Sequence, residues 1–211
     1  MPDPATLMLF LGASLALNLT PGPDMLFCIA NGVGRGRTAG AVAALGIGAG
    51  CLVHVAAAAV GLAGLLAASP ALFDAVRYAG AAYLAWIAWK TFRAPPTALH
   101  GGVAAPGGLR RVFVQGLVTN LLNPKVALFF LAFLPQFVDP AAGPAALQVL
   151  VLGIVVDISG TLVNLAVGLG AGGIGGWLHR HPTIARVQQW ATGAIFLGLA
   201  ARLAFAGGRN A

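Results

Sequence analysis

The sequence predicts an all-α membrane protein, with six transmembrane helices forming an inverted 3+3 repeat and spans one and four broken at proline-containing motifs. Three observations lead there. The 211 residues are 59% hydrophobic and only 8% charged, with a mean hydropathy of +0.89. An ordinary soluble domain is roughly 25% charged, so this composition cannot supply a water-facing surface. Second, apolar windows of roughly 19 residues, the length that crosses a bilayer, recur along the whole chain. Third, polar and proline-bearing motifs of the first half return at matching places in the second. Little remains for a soluble domain, and no G-x-x-x-x-G-K-[ST] phosphate loop occurs. Gly168-Leu169-Gly170-Ala171-Gly172-Gly173 matches G-x-G-x-x-G but has no strand before it, and reads as a loosely packed helix end.

The spans fall near 5–31, 39–68, 70–92, 112–137, 144–175 and 186–206. One connection is long, running from Arg93-Ala94-Pro95-Pro96 through Gly101-Gly102 to Pro106-Gly107-Gly108, and its Pro/Gly content marks a linker. The chain therefore reads as one transmembrane domain over 1–211, with repeat one at 1–93, a cytoplasmic linker at 94–111 and repeat two at 112–211. Orientation follows the bases. Arg35 and Arg37 lie in the first loop, Lys90, Arg93, Arg110 and Arg111 flank the linker, and Arg180 and Arg186 sit in the last turn. Asp3, Asp74 and Asp139 fall on the other side, with Arg77 and Arg209 as exceptions. The positive-inside rule puts the basic loops in the cytoplasm and both termini outside.

A net charge of +7 and a pI near 10.8 do not indicate nucleic acid, because the twelve Lys and Arg are scattered singly or in pairs. Cys28 and Cys51 lie in apolar stretches and read as small buried hydrophobes rather than a disulfide. The N-terminal stretch carries Asp3 and no Lys or Arg, unlike the basic start of a cleaved signal peptide, so the first apolar segment is expected to persist.

The two halves are related motif by motif. Asn18-Leu19-Thr20-Pro21-Gly22-Pro23-Asp24 in span one resembles Asn120-Leu121-Leu122-Asn123-Pro124-Lys125 in span four. Gly80-Ala81-Ala82-Tyr83-Leu84 resembles Gly193-Ala194-Ile195-Phe196-Leu197, and His54 in span two answers to Asp157 in span five. Three spans per half is an odd number, so the second half enters the membrane inverted, as in many secondary transporters.

Thr20-Pro21-Gly22-Pro23 cannot be continuous helix: the prolines lack a backbone donor and clash with the preceding turn. Thr20-Pro21 and Asn123-Pro124 each read as an N-cap followed by a first helical residue, which predicts new half-helices starting near 21 and 124. Broken backbone at membrane depth is tolerated only against protein or a water-filled cavity. The free N–H groups of the two half-helices, converging near the midplane, would favour a carboxylate.

Asp24, His54, Lys125 and Asp157 fall deep within spans. A charged Asp or Lys costs about 2.5–3.5 kcal/mol at a span centre, so these side chains are expected to face the bundle interior and pair there. Lys125 opposes the dipole of its own helix and calls for an anion: Asp24, Asp157 or a bound carboxylate. Gly46-x-x-x-Gly50 and Gly168-x-x-x-Gly172 read as close helix packing first, with a homodimer left open. His179-Arg180-His181-Pro182 lacks an acidic or Cys partner and is no metal site, and nothing calls for a cofactor. Asn18-Leu19-Thr20 is a sequon inside a span and is discounted, while Trp86, Trp89, Trp177 and Trp190 read as interfacial anchors.

These motifs resemble the LysE superfamily of bacterial amino-acid exporters, most closely its RhtB (homoserine/threonine efflux) branch. The resemblance rests on Leu19-Thr20-Pro21-Gly22-Pro23-Asp24, Gly34-Arg35-Gly36 through Ala44-Leu45-Gly46-Ile47, His54 and Gly80-Ala81-Ala82-Tyr83-Leu84. In the second half it rests on Gln115-Gly116-x-x-Thr119-Asn120-Leu121-Leu122-Asn123-Pro124-Lys125 and Phe133-Leu134-Pro135-Gln136-Phe137. It implies export of small amino acids or their derivatives across the bacterial cytoplasmic membrane, driven by the proton-motive force. The family's P-G-P segment falls on Pro21, Gly22 and Pro23, and its N-P-K segment on Asn123, Pro124 and Lys125. Departures lie in span five, where Asp157-Ile158-Ser159-Gly160 lacks the bulky residue expected after the Asp and the Gly-rich end replaces a more basic turn.

Together these readings predict a multi-pass transporter of the bacterial inner membrane, not an enzyme, whose partners are an amino acid, protons and the bilayer. The substrate is expected to be neutral, such as homoserine, threonine or a branched-chain amino acid. Its site would comprise Thr20, Pro21, Gly22, Pro23, Asp24, Asn120, Asn123, Pro124 and Lys125. Asp157 is first choice for the proton carrier, then Asp24, then His54. A passive facilitator or channel, and a cation exporter of the same superfamily, stay open as alternatives.

Overall fold

In the computed structural model the described residues, 4–68, 70–93, 107–139, 142–171 and 182–205, are helical with no strand among them. The helices are α1 (Pro4–Leu19), α2 (Pro23–Arg35), α3 (Arg37–Ala68), α4 (Pro70–Arg93), α5 (Leu109–Leu121), α6 (Pro124–Leu128), α7 (Ala145–Leu169) and α8 (Pro182–Phe205). Helix α6 runs on through a π-helical turn, Phe129–Phe133, and a 3-10 turn, Leu134–Phe137. Residues 94–106 of the linker, Trp177 and the His179-Arg180-His181 stretch lie outside the described residues, as do Asp3 and Arg209.

Helices α3, over Arg37–Gly61, and α7 are each long and apolar enough to cross a membrane. Helix α5 and its continuation to Phe137 pass the same test together, bent by 47° at the break. Helix α1 has 16 residues, about 24 Å at 1.5 Å per residue, which is short of a hydrocarbon core roughly 30 Å thick. The chain is a membrane protein by this composition and by the helices that carry it.

Glycine sets how closely the helices approach. Helix α3 packs on both α5 and α7. A Cβ on Gly46 would strike the Phe113 carbonyl, and one on Gly50 would lie 2.7 Å from the Leu117 carbonyl. At the other contact Gly40 and Gly168 meet backbone to backbone. Gly168 is therefore tightly packed, in line with the close packing expected from its G-x-x-x-G spacing and against the loose helix end read from G-x-G-x-x-G. Helices α4 and α8 pair with each other, Phe92 meeting Trp190 edge to face at 6.1 Å. Aromatic rings fill the space between α1 and the α6 continuation: Phe10, Phe129, Phe133 and Phe137 are all buried, with ring centroids 4.8–6.5 Å apart. Beyond Phe137 the loop is clipped by Gln148, whose amide accepts from the Asp139 N–H and donates to the carbonyls of Asp139 and Gly143.

Candidate functional site

Both proline motifs end one helix and start another, and the two breaks touch. At the first, Gly22 is extended (φ −161°, ψ −176°) and Pro23 opens α2. Gly22 is the N-cap, not Thr20, so the new helix starts two residues later than expected. The reason is the Thr20 hydroxyl, which donates back to the Ala16 carbonyl and so finishes α1. At the second break the sequence signature holds. Asn123 is the N-cap, its Oδ1 accepting from the Lys125 N–H at 3.0 Å, and Pro124 is the first helical residue.

Two interactions join the breaks. Asn120, in the last turn of α5, donates its amide N–H to Asp24 Oδ2 at 2.9 Å, and Asp24 sits in the first turn of α2, where the helix dipole favours a carboxylate. Lys125 reaches across the other way: its ammonium donates to the Leu17 carbonyl at 3.1 Å and the Thr20 carbonyl at 3.0 Å. The nearest acceptors of the Lys125 ammonium are thus backbone carbonyls rather than the carboxylate of Asp24 or Asp157. The carbonyls at the end of α1 carry the negative end of that helix's dipole, and two of them supply what one carboxylate would. Asp24 attracts the ammonium at longer range. An ammonium has three donors, and two are used here.

A cavity of about 30 Å³ lies beside this junction, with polar walls from Asn18, Asp24, Asn120, Asp157, Thr161 and Asn164. Its apolar walls include Leu17, Ile47, Val126, Phe130 and Val156. One water needs about 10–15 Å³ of such space, so the cavity holds two or three waters or a polar headgroup rather than a whole amino acid. Three buried polar atoms near it have no partner: Asp24 Oδ1, Asn120 Oδ1 and Asn123 Nδ2. Each such atom costs about 1–3 kcal/mol, a penalty that a bound ligand or water removes.

Three of the residues expected at the site line the cavity, and Thr20, Pro21, Gly22, Pro23 and Pro124 do not. Asp24, Asn120 and Asp157 line the cavity, while Asn123, Lys125 and His54 are not among its lining side chains. His54 is held outside it: Nε2 lies 3.2 Å from the Asn120 carbonyl and the ring stacks on Phe130 at 6.0 Å. The Asp157 carboxylate faces the Thr161 hydroxyl at 3.4 Å, with the Cys51 thiol also in reach. The rings of Pro23 and Pro124 are exposed, so these prolines act through the backbone alone. Gly22 lies so near Lys125 that a Cβ there would be 3.2 Å from Nζ.

Sequence reasoning missed Thr161 and Asn164, and it set Asn18 aside as an unusable sequon. Asn18 donates to Ser159 Oγ at 2.9 Å and to the Val156 carbonyl at 3.3 Å, tying the end of α1 to α7. The signal for the others was periodic. Asp157, Thr161 and Asn164 stand at i, i+4 and i+7 on a mostly apolar helix, which places them on one face.

Comparison with known proteins adds a family. The model of the LysE type translocator family matches residues 15–207. An uncharacterized membrane protein of Pseudomonas aeruginosa is 34% identical over 196 residues, covering 89% of each chain. A leucine efflux protein of an Enterobacter species is 32% identical over 190 residues, covering 88% of this chain and 89% of its own. The leucine efflux protein of Salmonella typhimurium is 32% identical over 199 residues and 92% of each chain. No solved structure matches the chain.

Proposed function

The chain belongs to the family of LysE type translocators, a transporter rather than an enzyme, and on that premise we propose that it exports amino acids across the bacterial cytoplasmic membrane in exchange for protons. The observation that carries this reading is the junction of the two helix breaks, where Asp24 binds Asn120 and Lys125 binds the end of α1 beside a cavity that Asp157 also faces. Transporter sites are built in this way, from discontinuous helices whose termini hold the charged ends of a substrate.

Six spans in an inverted repeat would place that junction near the midplane of a multi-pass protein with its basic loops in the cytoplasm. The substrate carboxylate meets the N-terminus of α2 at Gly22 and Pro23, just past the Thr20-Pro21 end of α1, and that of α6 at Asn123 and Pro124, together with the remaining donor of Lys125. The ammonium is met by Asp24 or Asp157, with Asn120 as a neutral partner. The aliphatic wall of Leu17, Ile47, Val126, Phe130 and Val156, and the name that the Enterobacter and Salmonella relatives carry, support a neutral branched-chain substrate such as leucine. Since the cavity holds only a headgroup, loading requires α7 and the two breaks to separate.

Asp157 is the proton carrier in this scheme. Protonation from outside and substrate loading from inside compete, so each outward passage of an amino acid returns a proton. Asp24 is already committed to Asn120, and His54 is held by a carbonyl and a ring, which leaves Asp157 as the carboxylate least tied to its surroundings.

The test is efflux from cells preloaded with labelled amino acids, with and without a protonophore. Selective loss of leucine that stops when the gradient collapses supports the reading. Loss that ignores the protonophore would make the protein a facilitator and remove the proton role of Asp157.

A further inference from the structure

Among the side chains that line the cavity between α2, α5 and α7, charge and hydrogen bonding are unbalanced with one sign; the orphaned donor, Asn123 Nδ2, belongs to a side chain outside that lining. Two carboxylates, Asp24 and Asp157, face it, whereas Lys125 is not among its lining side chains. Asn120 gives its N–H to Asp24, which fixes the orientation of the amide: the reverse placement would set oxygen against oxygen. Its Oδ1 is then left as an acceptor, and so is Asp24 Oδ1; both are buried and unpartnered, in side chains only 2% and 8% exposed. Asn164, 8% exposed, faces the same space from α7 and has no hydrogen bond among the described residues, so its amide is free to present an oxygen. Two orphaned oxygens and a neighbouring amide that can turn its own oxygen inward, around a space that holds two or three waters, match a compact cation that brings donors of its own.

We propose that this cavity is a subsite for a compact monovalent cation, and that the cation is the substrate's primary ammonium, held by Asp24 Oδ1, Asn120 Oδ1 and the Asn164 amide. The subsite rests on the reading of the chain as an amino-acid exporter and makes it more specific. The amine, not the carboxylate, is the group whose absence the protein rejects. Two carboxylates facing the same space repel an anion, and a deaminated acid leaves the buried acceptors bare. Asn164 joins the site as a residue that selects substrate.

The purified full-length protein tests this by thermal melting with four probes: leucine, 3-methylbutylamine, 4-methylpentanoate and sodium chloride against N-methylglucamine chloride. The amine, at about ten times its Kd, should raise the melting temperature by roughly 3–6 °C, as should leucine. The acid should give no shift. A Asn164→Ala variant should weaken the amine by about tenfold while leaving the unliganded melting temperature within a degree or two. An acid that stabilises as well as the amine, or an amine that does nothing, overturns the assignment. A shift with sodium that the amine does not produce gives the site to a free alkali ion and overturns it equally. These readings need no transport, so an amine shift in a protein that exports no leucine would count against the proposed function and not against the subsite.

Discussion

A lysine in the first turn of a helix ordinarily weakens that helix, yet Lys125 holds two helices together through the carbonyls of Leu17 and Thr20. Hydrogen bonds to a charged group are worth about 1.5–3 kcal/mol each, and these two add to the Thr20 N–H bond that the Leu17 carbonyl already accepts. Replacing Lys125 with Met should therefore lower the melting temperature by several degrees and abolish efflux, and melting curves beside efflux rates would show both losses. Asp157 predicts the opposite pattern. The hydrogen bond it accepts from the Thr161 hydroxyl is long at 3.4 Å, so Asp157→Asn should fold and still exchange leucine for leucine. Net efflux by that variant should no longer respond to a protonophore. Of this site, Asp24, Asn120, Lys125 and Asp157 were legible because each is a polar group in an apolar run. The partner of Lys125 was not. Sequence shows charges, but the acceptors it uses are backbone carbonyls that any residue would supply.

Helix ends and helix crossings obey the same local chemistry with different success. Asn123-Pro124 gave the start of α6 to the residue, because an Asn side chain followed by Pro has one good use. Thr20-Pro21 misled by two residues, since Thr can satisfy either the helix behind it or the one ahead. Removing the Asn123 cap by Asn123→Ala should cost about 1 kcal/mol, or roughly 2–4 °C in melting temperature. The crossings give a sharper contrast. A methyl group at Gly168 would run into the Gly40 backbone, while one at Gly12 would meet nothing within 4 Å. Gly168→Ala should destabilise by about 1–3 kcal/mol or more, and Gly12→Ala should be neutral or stabilising by up to about 1 kcal/mol. Equal melting temperatures for the two variants would refute the close α3–α7 approach. The stripe of Asp157, Thr161 and Asn164 was readable as a helical period, but it is diluted among so many Gly and Ala that only the cavity makes it stand out.

For the molecule as a whole, composition alone gave the membrane, and the paired motifs gave the two breaks that meet in the structure. The bilayer leaves its mark as apolar side chains on the outside: Val60, Leu122, Leu162 and Phe205 are each at least 60% exposed. The bases predict a cytoplasmic linker, so a cysteine at His100→Cys, with Cys28 and Cys51 replaced by serine, should react with an impermeant thiol reagent only from the cytoplasmic side. The central claim is that the junction of the breaks and Asp157 together exchange an amino acid for a proton. Purified protein in liposomes, given labelled leucine outside and an acidic interior, tests this most directly. The account predicts that leucine accumulates inside above its external concentration as protons leave, and that Asp157→Asn only equilibrates it. Equilibration without accumulation by the unaltered protein, or accumulation by Asp157→Asn, would contradict it.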